Sequence, residues 1–478
     1  MRNTTSWSAD LAVETSGQGV INHAGTAALR LITDRSGLTA GLSAALARRG
    51  FEPVHDRGRV LADTAVMIAD GGRVMSDLAT LRDQAELFGP VASDSTLWRT
   101  LDEIGELQLR RITRARAQTR KHVWALIAQR HGRIPPSRVA DRDLGSTIVI
   151  RLDGSLTISH SDKQWAAGTW KGTWGHHPLM AWCDNTGESL AFKLRKGNAG
   201  ANTASDHIEV LDEAITQIPA QHRRNLLITV DGAGASHDLV THITGLNTAR
   251  GRTVHYSIGW DLTERERTAI SRVPSRAWSA VLDTEGNPRG LDKAGLVELT
   301  ALLREHPDGD QLTTWPTDLR VIARREKPHP GAQLSLFEQL DGWRYQLIAT
   351  NTPDTRGNTA QFLEARHRPH ARVEDAIRCG KNTGLGHLPS TSIAINRAWC
   401  AASTIACDLL CWLRLLCLHG PLANAEPKTL RYRLLHTAAR IIRGQRKRTI
   451  RIPTTWPWAS HLAACLRAAL ALPPPTRR

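Results

Sequence analysis

A chain of 478 residues is long enough for two to four domains at roughly 100–200 residues each, which excludes a peptide or a tail. Lys plus Arg is 62 and Asp plus Glu is 46, a formal charge of +16, so the expected large partner is a polyanion and small acidic substrates fit poorly. The seven cysteines (Cys183, Cys379, Cys400, Cys407, Cys411, Cys417 and Cys465) form no CxxC pair or metal-ligand spacing, a pattern that suits a reducing cytoplasm and implies neither a zinc site nor a disulfide framework.

The N-terminus lacks the apolar run of a secretory signal, which argues against export. Residues 25–120 read as short helices within a helical, DNA-binding region over residues 1–140. Ser93-Asp94-Ser95-Thr96 offers several caps before an amphipathic helix to about Ile104, a pattern shared by the second helix of a helix-turn-helix and by an ordinary packing helix. Arg110, Arg111, Arg114, Arg116, Arg120 and Lys121 then form a basic helix expected to track phosphates.

Near residue 146 the period changes from helix to strand. Ser146–Leu152 is β-branched and runs into Asp153-Gly154, placing a carboxylate at a strand tip. His177–Cys183 and Glu188–Leu194 read as two strands around the turn Asp184-Asn185-Thr186-Gly187, Asp206–Ile218 as a helix, and Asn225–Val230 as a buried strand ending at Asp231-Gly232. Val254–Gly259 is a candidate fifth strand. The expected class is α/β: a core in two parts, residues 141–261 and 343–425, split by a β-rich segment over 262–342. Ala277–Leu282, Leu319–Arg324 and Trp343–Asn351 read as strands, and Gln361–Cys379 as one helix carrying Glu374. Ile393–Leu418 is long and apolar enough to tempt a membrane assignment, yet it carries Asn396, Arg397, Asp408 and Arg414 and is read as a buried helix. No membrane partner is expected. Residues 426–478 form a basic region, without a single acid from Pro427 onward.

Asp153, Asp231 and Glu374 carry the chemistry. Convergent carboxylates repel one another, so a fold keeps them chiefly where divalent cations neutralise them. Two Mg2+ ions about 3.5–4 Å apart serve an in-line phosphodiester displacement, one activating the attacking oxygen and one stabilising the leaving oxygen. Asp153 would bridge both, with Asp231 and Glu374 each completing one side; Mn2+ can substitute. A lone strand-end Asp is more often only a turn acid, and it is the set of three in a basic chain that shifts the balance. Among fifteen Trp, most are expected in the core, but Trp165, Trp170 and Trp174 lie in a Gly/Lys-rich stretch suited to stacking on an unpaired base. His176 and His177, adjacent on a strand, point to opposite faces and do not ligate jointly. Asp206 reads as a helix cap.

Asp153 through His160-Ser161-Asp162-Lys163, Trp170-Lys171, Gly175–Pro178, Arg195–Gly200 and Asp206-His207 resemble the catalytic half of DDE transposases from bacterial insertion sequences. The resemblance spans nearly the whole chain. It implies a ribonuclease-H-like core, a β-rich insertion between the second and third acids, and Mg2+-dependent cut-and-paste transposition. Relatives carry Tyr-x2-Arg-x3-Glu-x6-Lys around the last acid. Here Glu374 and Lys381 match, whereas His367 and His370 occupy the Tyr and Arg places, and Glu364 and Asp375 remain rival third acids. The residues assigned to DNA are Lys381, Arg378, Arg372, His370 and His367 around that acid, Lys163 after the first, and Arg446, Lys447 and Arg448 in the basic tail. The partners implied are terminal inverted repeats and target DNA, with a homodimer in a synaptic complex, in a cytoplasmic, nucleoid-associated setting. A ribonuclease-H-like nuclease and a noncatalytic, decayed or domesticated DNA-binding derivative are the competing readings.

Overall fold

The computed structural model describes residues 11–15, 18–201, 203–305, 310–444 and 447–476, so Arg446 lies outside the described residues. After a short strand β1 (Val20–Ile21) come α1 (Thr26–Arg35), α2 (Leu38–Leu46), α3 (Arg57–Asp70), α4 (Asp94–Asp102) and the 26-residue α5 (Glu106–His131). Caps set two of these starts: the Asp56 carboxylate accepts the Arg59 N–H, and the Ser93 hydroxyl accepts the Thr96 N–H. Gly58 lets α2 and α3 touch, since a Cβ there would lie 2.1 Å from the Ser43 nitrogen.

The sheet begins with β2 (Ile148–Gly154). A small three-stranded sheet follows, from β3 (Thr157–Ile158), β4 (Ala167–Gly168) and β5 (Trp174–His176), an element the sequence reading did not contain. Then come β6 (Leu179–Cys183), β7 (Ser189–Lys193), α6 (Ala204–Gln217), β8 (Asn225–Val230), α7 (His237–Gly245) and β9 (Thr253–Trp260). Residues 262–342 add α8 (Glu264–Ser271), β10 (Ser279–Ala280), β11 (Ala294–Glu298) and β12 (Arg320–Glu326), and β13 (Arg344–Thr350) returns from them. Strands β2 and β6–β13 make one nine-stranded sheet in the order β10-β11-β12-β13-β9-β8-β2-β6-β7. Strands β2, β8 and β9 are parallel and the flanking pairs antiparallel. The first five strands of this sheet thus run 3-2-1-4-5 in space. The register sets Val230 opposite Leu152, so Asp231 and Asp153 are the next residues on adjacent parallel strands.

The helix expected over Gln361–Cys379 is two helices, α9 (Ala360–His367) and α10 (Arg372–Gly380), joined by a 3-10 turn through Pro369. Proline withholds the amide that a continuous helix requires. Then α11 (Ile393–Cys417) passes through the middle of the protein, packed on α1, α3 and α5, with 83% of its most apolar window buried. The basic helix read at Arg110–Lys121 is corrected in part, because α5 turns Arg116 and Arg120 inward. Arg120 is fully buried between Glu188 Oε1 at 2.8 Å and Asp408 Oδ2 at 2.6 Å, and Arg116 reaches Asp408 Oδ2 at 2.9 Å. Trp124 and Trp412 donate indole N–H groups to the remaining Glu188 capacity, at 2.7 and 2.8 Å. These buried charges persist because each is paired and hydrogen-bonded, and they fasten α5 and α11 to the β6–β7 turn.

The C-terminal region turns back to the start. Strands β14 (Ala439–Arg443) and β15 (Arg448–Arg451) form a hairpin to which β1 adds antiparallel, and α12 (Ala459–Ala471) packs on α1 and α11.

Candidate active site

Strands β2 and β8 end side by side, and carboxylates stand at both ends: Asp153 is the last residue but one of β2 and Asp231 follows β8 directly. Asp153 is half-buried, and its pKa is raised to about 7 by burial, by Asp231 and by Glu374, against the opposing pull of the Gly154 N–H and Lys381. Asp231 and Glu374 are thus each within electrostatic reach of Asp153, although the three come from two strand ends and the exposed start of α10, and Glu374 is not among the residues lining the cavity over the other two. Gly259 permits this edge to close: a Cβ there would meet the Gly232 nitrogen at 2.5 Å, so the turn after Asp231 lies directly on β9.

A cavity of about 450 Å³ opens over Asp153 and Asp231 and is lined also by Lys381, Lys171, Trp170, His177 and His207. Burial, with Lys171 nearby, lowers the Lys381 pKa, and Asp153 opposes the shift. Trp170 is 76% exposed at the turn between β4 and β5, with the Lys171 ammonium 4.8 Å from its ring centre. His177 and His207 flank Asp231, each with Nδ1 on a carbonyl (Ala199 at 2.9 Å, Thr203 at 3.1 Å), and burial lowers both pKa values, keeping the rings neutral. Neither was assigned from the sequence. The available signal was the second His of the His176-His177 pair: alternation sends one ring to each face, and it is His176 that is fully buried, between Ser159 and the Gln164 carbonyl. The loop beneath is held by Arg195, which donates to the His177 carbonyl at 2.9 Å and to Asp206 at 3.1 Å. Asp206 is not the cap of α6; Thr203 occupies that place, and Asp206 binds Lys193 and Arg195.

The remaining assignments scatter. Glu364, a rival third acid, is buried against Arg324 and Arg368, and Asp375 is paired with Arg378. His367 and His370 are corrected as DNA contacts. They face the sheet, His367 Nδ1 at 3.1 Å from Ser257 Oγ and His370 Nδ1 at 3.0 Å from Thr229 Oγ1, and burial drives their pKa values to about 4 and about 3. Neutral rings packed between helix and sheet bring no positive charge to a phosphate, and neither lines the cavity over the acids. Arg378 is exposed and pairs with Glu426 as well as Asp375; Arg372 is exposed and binds Asp184 and the Arg138 carbonyl. Lys163 donates to the Ser390 carbonyl at 3.2 Å. Lys447 and Arg448 lie exposed on the C-terminal hairpin, away from the acids, with Arg448 donating to the Glu86 carbonyl.

A second group with metal-ligand chemistry, His23, Asp70 and His436, lies at the junction of the first and last segments. There His23 Nδ1 and Thr26 Oγ1 bind the Asp70 carboxylate and His436 Nε2 donates to the Asp70 carbonyl at 2.7 Å, an arrangement already complete as a hydrogen-bonded clasp.

The family described as transposase DDE domain group 1 matches residues 4–473. The chain belongs to the DDE transposases of that group. No curated protein matches the chain. Among solved structures, the cryo-EM structure of the piggyBac transposase synaptic complex with hairpin DNA resembles this DDE transposase chain, at 9% identity and TM-score 0.39 over 88% of this chain and 83% of that one.

Proposed function

We propose that this DDE transposase is the enzyme of a bacterial insertion sequence: it binds the element's terminal inverted repeats, cuts the DNA and joins the freed 3′ ends to target DNA. The observation that supports this most is that Asp153 and Asp231 stand at neighbouring ends of parallel strands and that burial, then Asp231, then Glu374 raise the Asp153 pKa to about 7. The 3-2-1-4-5 strand order, with the first, fourth and fifth parallel, supports a ribonuclease-H-like core.

The donor set fits Mg2+, since all three groups offer hard carboxylate oxygens and their mutual repulsion calls for a cation. Two such ions, when bound, supply activation of the attacking oxygen and neutralisation of the leaving one. The chain's own residues do the rest. Lys381 and Lys171 bring positive charge to the scissile phosphate, Trp170 presents a ring to a base beside it, and neutral His177 and His207 shape the wall beside Asp231. In the cutting step water attacks phosphorus, the 3′ oxygen leaves with the bonding electrons and takes a proton. In the joining step that 3′-hydroxyl attacks a target phosphodiester, so one bond forms as one breaks. Two element ends call for a homodimer in a synaptic complex, acting at the nucleoid in the cytoplasm.

The test is a supercoiled donor plasmid carrying the element's ends, incubated with the full chain and Mg2+. Insertions into a target plasmid are expected, and Asp153→Asn should bind the ends without cutting. Linear donor alone would mean a nuclease. End binding with no cutting by the native chain, in Mg2+ or Mn2+, would mean a noncatalytic derivative.

A further inference from the structure

On the opposite edge of the sheet from the acids, where β8 and β9 begin, lies a polar cavity of about 300 Å³ lined by Arg366, Arg142, His255, Thr352, Asn225 and Asn358 among others. Arg366, on α9, is only 6% exposed. Its Nη2 donates to the hydroxyls of Thr352 at 2.7 Å and Thr350 at 3.4 Å, and its buried Nε has no partner. Among the described residues no carboxylate offsets it: burial alone acts on its pKa, lowering it to about 10. His255 also lines the cavity, its Nδ1 buried, and burial and then Arg366 lower its pKa against the pull of Asn351 and Asp318. Arg142 stands at the rim, its guanidinium 4.0 Å above the Phe362 ring and donating to the Gly357 carbonyl. Asp143, the acid among the lining residues, is taken up by Arg133 and by the Gly145 N–H.

A buried guanidinium without a counter-ion is expensive, and proteins keep one where an anion completes it. The elsewhere-paired buried arginines of this chain make the contrast: Arg120 and Arg116 share Asp408 and Glu188, and Arg151 holds Asp184 at 2.7 Å. We propose that this cavity is a binding site for a phosphate group, taken by the Arg366 fork with the Arg142 guanidinium, the Thr352 hydroxyl and the amides of Asn225 and Asn358 around it. Planar guanidinium donors match phosphate oxygens two at a time, and no lysine lines the site. The phosphate is carried either by a DNA backbone or by a small phosphate ester. The proposal stands apart from the catalytic reading, since it uses none of the three acids.

The full chain without Mg2+ is titrated, at fixed ionic strength, with inorganic phosphate, with deoxyadenosine monophosphate and with a short DNA duplex, following the thermal midpoint and the heat of binding. Saturable stabilisation by phosphate is expected, with affinity falling about tenfold or more in Arg366→Met while that variant is no less stable than the native chain without phosphate. Free phosphate or the nucleotide sufficing assigns the site to a small ester. Response to the duplex alone, lost in Arg366→Met and retained in Asp153→Asn, assigns it to the DNA backbone. No response to any of the three, or an equal response from Arg366→Met, overturns the proposal. Should Arg366→Met fail to fold, Arg142→Gln combined with Thr352→Val decides the matter on the same readouts.

Discussion

Asp153 is the residue at which charge and function meet. Its folded pKa, about 7, stands above the ordinary value of 3.8, because burial and the Asp231 and Glu374 carboxylates oppose its ionisation. For an acid shifted upward, the unfolded state gives up its proton first, so without metal the fold loses stability as pH rises from about 4 through 7. Asp153→Asn should therefore raise the melting temperature in EDTA at pH 8, abolish the stabilisation Mg2+ gives the native chain, and reduce nicking by about 10³-fold or more. Calorimetry with and without Mg2+, beside a plasmid nicking assay, checks all three. Trp170 carries a second expectation: an exposed ring over the acids should stack on a base at about 1–3 kcal/mol, so Trp170→Ala weakens binding to a duplex with an unpaired base at the cleavage point by tenfold or more, and Trp170→Phe restores most of it. Both strand-end acids were legible in the sequence because a β-branched run ending in Asp-Gly shows where the side chain emerges. His367 and His370 were not: in a stretch crowded with arginines on every side, composition does not reveal which face a Pro-broken helix turns to the sheet.

At the scale of elements, the clasp of His23, Asp70 and His436 ties β1 and the C-terminal turn before β14 to the end of α3. Asp70 is held down to about 2, burial pushing it up but the hydrogen bonds from His23 and His436 prevailing, whereas the His436 pKa is raised, first by Asp70. The two shifts bound a window. Asp70 contributes stability that is full above about pH 4 and lost as pH falls towards 2; His436 contributes below its ordinary 6.5 and loses its share as pH climbs through its raised folded value. Trypsin cleavage within β14–β15 should accordingly be slowest near pH 5–6 and faster at pH 8 after correction for protease activity, and Asp70→Asn should make it fast and pH-independent. Nothing in the sequence announces this junction, because a two-residue strand such as Val20–Ile21 has no periodicity and its partner lies more than four hundred residues away. The small sheet β3–β5 pairs locally, but its strands of two or three residues are likewise too short to show a period, whereas the 25-residue helix α11 could hardly be missed.

Over the whole molecule the net charge of +16 is unevenly spent. Arginines at 116, 120 and 151 are inside and paired with carboxylates, and Arg366 is inside at the polar cavity, while the C-terminal hairpin collects exposed ones. In that hairpin Arg440 stands directly opposite Arg451, and Arg443 opposite Arg448. Like charges facing each other across an antiparallel ladder are destabilising. Glu86 relieves one pair by binding Arg443 at 3.1 Å, and among the described residues no carboxylate does the same for Arg440 and Arg451, so an anion bound to this face would relieve them. If that anion is the DNA backbone, each lost contact should reduce the slope of log affinity against log salt by about 0.9. Arg440→Ala with Arg451→Ala should then lower the slope by about 1.8, weaken binding to related and unrelated sequences alike, and raise the melting temperature of the free protein at low salt by removing the repulsion. Fluorescence anisotropy across a salt series measures the slope. A pair of substitutions that left the slope unchanged while destabilising the free protein would instead make these arginines structural, with the DNA held by the surface around the acids alone.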